Sequence, residues 1–187
     1  MSRFPRIMLI LIGIIVLISG CSQRTMAPKP LSEAQLDGFV KDKGLTPVAV
    51  KNVGNSFTVI AYENQNRIGY YAISVNEDGN FANCGGMTAD KTKVSPVVFG
   101  SSSTGIPFVT VIINDKNILD QADKIKVRFN DGYEALENVN NQKGIIIADN
   151  MTKNGNIGIG LLQIFNTEGK LLFEYPNSSN NGLTSSN

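Results

Sequence analysis

The chain has 187 residues, 42% of them hydrophobic and 18% charged, with two cysteines, no tryptophan, no histidine and a formal net charge of +1. That balance is ordinary for a globular protein of one domain or two small ones. Without an imidazole the chain lacks Ser-His-Asp and Cys-His nucleophiles, His-ligated zinc and a histidine pH switch.

Arg3 and Arg6 precede an apolar run from Ile7 to Ile18, which is followed by Ser19, Gly20 and Cys21. As a helix rising about 1.5 Å per residue, the run reaches roughly 18 Å, well short of a bilayer's roughly 30 Å hydrocarbon core. A basic start, an apolar middle and a small-residue end have the form of an export signal. Ile18-Ser19-Gly20-Cys21 resembles the lipobox of bacterial lipoproteins, a resemblance confined to residues 1–21. It implies a signal peptide over 1–20, cleavage before Cys21, and a diacylglyceryl group on the Cys21 sulfur. Two acyl chains, at about 0.8 kcal/mol per buried methylene, hold a domain on a bilayer where one chain lets go. Ser22 rather than Asp follows, so the resemblance carries no inner-membrane retention signal. The expected address is the extracytoplasmic face of the cell membrane, or an outer membrane if the cell has one.

Loss of residues 1–20 removes Arg3 and Arg6 and no acid, leaving 15 basic against 16 acidic side chains, a balance of −1. No global attraction to nucleic acid follows. With Cys21 acylated, Cys84 is the remaining thiol, and no disulfide can close within the chain.

Residues 21–31 read as a tether, polar and with prolines at 28 and 30. Ser32 and Gln35 form a capping box, with Leu31 placed to staple against Leu36, so a helix starts here and stops at Gly44. Beyond Thr46 the pattern changes to short Val-, Ile-, Phe- and Tyr-rich runs separated by Asn and Gly. Strands are predicted over 47–53, 56–63, 67–75, 94–99, 106–113, 124–130, 143–148, 157–166 and 170–175. Asp78-Gly79, Asp131-Gly132, Asn154-Gly155 and Glu168-Gly169 suit the turns between antiparallel strands. Residues 117–122 fit a single helical turn. Lys124-Ile125-Lys126-Val127-Arg128-Phe129 alternates strictly, as a half-buried strand does, whereas 157–162 is apolar or Gly on both faces and reads as a doubly covered strand. The fold class is therefore mostly β: an N-terminal helix plus antiparallel meander over 32–88, then an antiparallel β-sandwich-like part over 94–176. The Gly/Ser stretch 99–105 and its loop-like approach from Asn83 read as the seam between them, and 177–187 as a disordered tail.

Several constellations carry candidate chemistry. Gly100 and Gly105 have a phosphate loop's glycine spacing, but Ile106 and Pro107 stand where Lys and Ser/Thr belong, so no phosphate site is assigned to that loop. Asn114, Asp115, Asn117, Asp120 and Asp123, and again Asn76, Glu77, Asp78 and Asn80, gather oxygens of the kind calcium takes. Neither stretch has the spacing of a calcium loop, and both suit caps and turns. Cys84 reads as a small, partly buried residue at a bend. Lys124, Lys126 and Arg128 form the clearest surface feature, a positive stripe suited to an anionic partner. No catalytic set, metal, cofactor or nucleic-acid site is expected. The sequence points to a lipid-anchored, non-enzymatic binding module of the cell envelope whose partner is a protein or an envelope polymer. A small carboxylate-dependent hydrolase and an inhibitor of a secreted enzyme stand as alternatives.

Overall fold

The fold is given by a computed structural model that describes residues 27–102, 106–149 and 158–176. Helix α1 (Glu33–Lys43) begins where the capping box lies: the Ser32 hydroxyl accepts from the Gln35 N–H, and the Gln35 side chain accepts from the Ser32 N–H. It ends at Gly44, whose left-handed φ of 59° lets the cap N–H turn back on the last carbonyls. Just upstream, Lys29 exchanges two backbone hydrogen bonds with Val75, at 2.8 and 2.9 Å, and the Leu31 N–H donates to the Thr58 hydroxyl. The chain is thus pinned to the first sheet before the helix starts.

That sheet is a meander of β1 (Thr46–Val53), β2 (Phe57–Glu63), β3 (Arg67–Val75) and β4 (Phe81–Asp90), in the order β1-β2-β3-β4. Next come β5 (Val97–Ser102), β6 (Phe108–Ile113), the short helix α2 (Lys116–Gln121), β7 (Ala122–Phe129), β8 (Glu134–Asn138), β9 (Gly144–Ala148), β10 (Ile159–Asn166) and β11 (Leu171–Tyr175). These strands divide into a second sheet, β5-β6-β9, and a third, β11-β10-β7-β8. Every strand pair is antiparallel. No helix among the described residues is long and apolar enough to cross a membrane.

Strand alternation stacks these parts into layers. On β2, Ile60 and Tyr62 face α1, meeting Leu31, Phe39 and Ile73, while Val59 and Ala61 face the second sheet. From the second sheet, Val98, Phe108, Ile112 and Ile146 meet the meander; Val97, Val109, Val111, Ile113, Ile145 and Ile147 meet the third sheet at Ile125, Val127, Phe129, Leu162 and Ile164. The order is helix, sheet, sheet, sheet. All six residues of β6, Phe-Val-Thr-Val-Ile-Ile, are buried, as a strand covered on both faces requires. Its one hydroxyl, on Thr110, donates to the Gly100 carbonyl at 3.2 Å. The sheets close tightly at Gly100, where an added Cβ would lie 2.5 Å from the Tyr70 ring.

The β class and most strand positions follow the sequence pattern, and Gly79, Gly132 and Gly169 adopt the positive φ that their turns demand. Four readings need correction. Residues 83–90 are not a loop but most of β4, which pairs with β3 from Arg67↔Asp90 to Val75↔Phe81. Of the two glycines there, Gly86 serves close approach, since a Cβ on it would stand 2.2 Å from the Tyr70 carbonyl oxygen, whereas Gly85 has open space around it. Gly100 to Ser102 belong to β5, held by the ladder to β6, and residues 103–105 lie outside the described residues. β8, Glu-Ala-Leu-Glu-Asn, has no β-branched residue to announce it; β7 supplies its register. Finally, β10 is covered on one face: Leu162 and Ile164 are buried, while Leu161, Gln163 and Phe165 lie on the sheet's outer side. Double coverage is found in β6 instead, and in β2, whose two faces meet α1 and the second sheet. The Asn154-Gly155 turn, the start of the strand predicted from 157, and the segments 1–26 and 177–187 lie outside the described residues.

Two glycine replacements test this packing in opposite directions. Gly38 is exposed in α1 with open space around it. Gly38→Ala is expected to stabilise by about 0.5–1 kcal/mol through helix propensity. Gly86→Ala should destabilise by about 1–3 kcal/mol, because the added methyl meets backbone that cannot yield cheaply. Urea unfolding of both variants reads the two signs.

Candidate functional site

β7 places the sequence-predicted cations as its alternation requires. Ile125, Val127 and Phe129 are buried, and Lys124, Lys126 and Arg128 lie on the outer face of the third sheet. The stripe is not uniformly available. Lys126 is half-buried and pairs with Glu134 of β8 at 2.8 Å, and the Lys124 ammonium lies 3.9 Å from Asp123. Arg128 is exposed and has no carboxylate partner among the described residues. Across the ladder, Arg128 faces Leu161, Lys126 faces Gln163 and Lys124 faces Phe165. Leu136, 61% exposed, sits opposite Lys126 on the other side. The outer face is therefore a mosaic of apolar and charged groups, in which Arg128, opposite Glu134 of β8, makes no ion pair among the described residues.

The oxygen-rich stretches are local structure. Asp115 caps α2 by accepting from the Ile118 N–H at 3.0 Å, and Asp120 pairs with Lys116 at 2.6 Å. The Asn76 side chain accepts from the Asn80 N–H, and its carbonyl accepts from Gly79, closing the β3–β4 turn. Cys84 departs from its reading as a partly buried residue at a bend: it is exposed, within the edge strand β4.

A second charged cluster, missed by sequence reasoning, lies where the first sheet meets the second. Glu63 ends β2, Lys91 follows β4, and Lys143 precedes β9. Both ammoniums reach the same Glu63 oxygen, Oε2, from Lys143 at 2.5 Å and from Lys91 at 2.8 Å. The three side chains are only 21 to 32% exposed, so the pairs feel less screening than ordinary surface pairs. Burial pushes the Glu63 carboxyl up, but the hydrogen bonds and charges of Lys143 and Lys91 outweigh it and hold the group below the usual carboxylate range. A carboxylate shared by two ammoniums is suited to charge anchoring.

Beside this cluster opens a polar cleft of about 560 Å3 between the end of α1 and the β2–β3 turn, lined by Thr46, Glu63, Asn64, Asn66, Arg67 and Lys91 among others. The Asn64 carbonyl oxygen of the side chain accepts from the N–H groups of Asn66 and Arg67, which fixes the turn. Sequence carries one hint of it, the polar Asn64-Gln65-Asn66 insert between two strongly apolar strands; Lys91 and Lys143 arrive from distant positions that no local pattern connects. Comparison with family models, curated proteins and solved structures found no match to this chain.

Glu63→Gln removes the shared anion and leaves two neighbouring ammoniums, and should cost about 1–2 kcal/mol at neutral pH. Because the folded carboxyl is held low, its contribution is complete above the ordinary carboxylate pKa and disappears as pH falls through the lowered value. The gap in melting temperature between wild type and Glu63→Gln should therefore close on acidification, as pH-dependent calorimetry would read.

Proposed function

We propose that this protein is a lipid-anchored, non-enzymatic binding module on the extracytoplasmic face of a bacterial cell membrane. The observation that carries the reading is the sequence Ile18-Ser19-Gly20-Cys21 behind a short apolar leader, followed within ten residues by a folded domain. The first fixed point of that domain is Lys29, hydrogen-bonded to Val75. The chain from Cys21 to Lys29 spans at most about 28 Å fully extended. Acylated at Cys21, the protein would hold its layered domain close to the bilayer, with the Val75 end of β3 nearest the lipid.

A domain so held meets polymers or proteins of the envelope through its exposed faces. On the outer face of the third sheet, Arg128 is the cation best disposed to an anionic partner, because Glu134 already engages Lys126. Mass spectrometry of the mature protein should find a diacylglyceryl-modified Cys21 at the N-terminus; an intact leader with a free Cys21 thiol would overturn the proposal. For the outer face, retention on purified anionic envelope polymer should weaken with salt and fall more for Arg128→Gln than for Lys126→Gln. Equal, salt-insensitive retention of both variants would remove that face from consideration.

A further inference from the structure

The cleft at the β2–β3 turn has a charge pattern that the protein as a whole lacks. Four cations, Arg67, Lys91, Lys93 and Lys143, stand at this end of the first sheet against two carboxylates, Glu63 and Asp90. Both carboxylates are already engaged. Glu63 takes Lys91 and Lys143 on one oxygen, and Asp90 accepts from the Thr92 N–H and hydroxyl with Lys93 at 3.6 Å. The local balance is +2 in a mature chain whose total is close to zero. Arg67 is exposed, lines the cleft and, although opposite Asp90 in the β3–β4 ladder, makes no ion pair among the described residues. Lys91 also lines the cleft, and its ammonium, with three donors, is engaged by Glu63 at 2.8 Å. Beside them the Asn64 side chain uses its oxygen on the turn, which leaves its amide hydrogens to the cleft.

We infer that this cleft is an oxyanion site for a phosphate group, with the Arg67 guanidinium as its fork, the Lys91 ammonium as a second charge, and the Asn64 amide as a neutral donor. The planar guanidinium presents paired N–H groups that match two oxygens of one phosphate, and a dianion balances the local charge. Glu63 sets the strength of the site: its carboxylate draws Lys91 and Lys143 together and opposes an incoming anion. The position of the cleft indicates the source of the phosphate, a point that rests on the anchoring proposed above. Arg67 and Val75 are the two ends of β3, about 27 Å apart at strand spacing, and the tether joins at Val75. The cleft thus points away from the lipid, toward phosphate in solution or on an envelope polymer rather than toward lipid headgroups.

The test uses the full-length protein, labelled with nitrogen-15, in neutral detergent micelles, titrated with inorganic phosphate and with chloride at matched ionic strength. Saturable amide shifts at Asn64, Asn66, Arg67 and Lys91 are expected with phosphate and not with chloride. Arg67→Gln should weaken binding at least about tenfold, and Lys91→Gln comparably. Glu63→Gln should tighten it severalfold even as it loosens the fold, which a purely structural ion cluster would not do. Unsaturable shifts, the same response to chloride, or a Glu63→Gln variant with unchanged affinity would overturn the site. Addition of a glycerol phosphate oligomer distinguishes polymer-borne from free phosphate, and both outcomes with saturable shifts support it. Shifts at these residues only when phosphatidylglycerol is added to the micelles would overturn the outward placement. None of these readouts depends on the acylation of Cys21, so failure here leaves the anchoring reading to its own mass-spectrometric test.

Discussion

The structure depends on the second sheet being dry on both sides. Phe108, Thr110 and Ile112 turn toward the meander, while Val109, Val111 and Ile113 turn toward the third sheet, and none of the six is more than 2% exposed. Neither neighbour can leave without wetting a row of β-branched and aromatic side chains, at about 25 cal/mol for each Å2 uncovered. The remaining layers arrange themselves around that requirement. The meander presents Tyr70, Val59 and Ile68 to one face of the second sheet, and its far side is covered by Phe39 of α1 and by Leu31 just before the helix. The third sheet closes the other face, and its outer surface is left to solvent with Lys124 and Arg128.

How much of this was legible in the sequence varies with the range of the interaction. The capping box at Ser32, the αL stop at Gly44 and the alternation of β7 are local, and each appears where the pattern places it. β3 is found over the residues read from sequence, since Ile68 to Val75 is rich in β-branched and aromatic residues. β4 was illegible because Phe-Ala-Asn-Cys-Gly-Gly has weak strand propensity; what makes it a strand is the β3 ladder and a backbone approach that only glycine permits at Gly86. The double coverage assigned to residues 157–162 belongs to β6 because glycine on a strand face does not mean that another layer lies over it.

The charged groups divide in the same way. The sequence makes the β7 stripe visible, but only the fold reveals that Glu134 comes from β8 to neutralise its middle member. Conversely, Glu63, Lys91 and Lys143 have nothing in common as a sequence pattern, and three turns from two sheets bring them to a single oxygen. Net charge near zero therefore says little about a protein whose cations are in part partnered on one face and in excess at one end.

The Glu63 cluster also bears on how the sheets stay together. Lys143 and Glu63 are 80 residues apart in the chain, and their contact closes only when β2 and β9 have already been brought into place. Closing a loop of that span costs chain entropy before the contact repays it, so the pair holds the two sheets together rather than drawing them together. Through that one carboxylate, the fate of the turn after β2 is tied to a strand eighty residues further along.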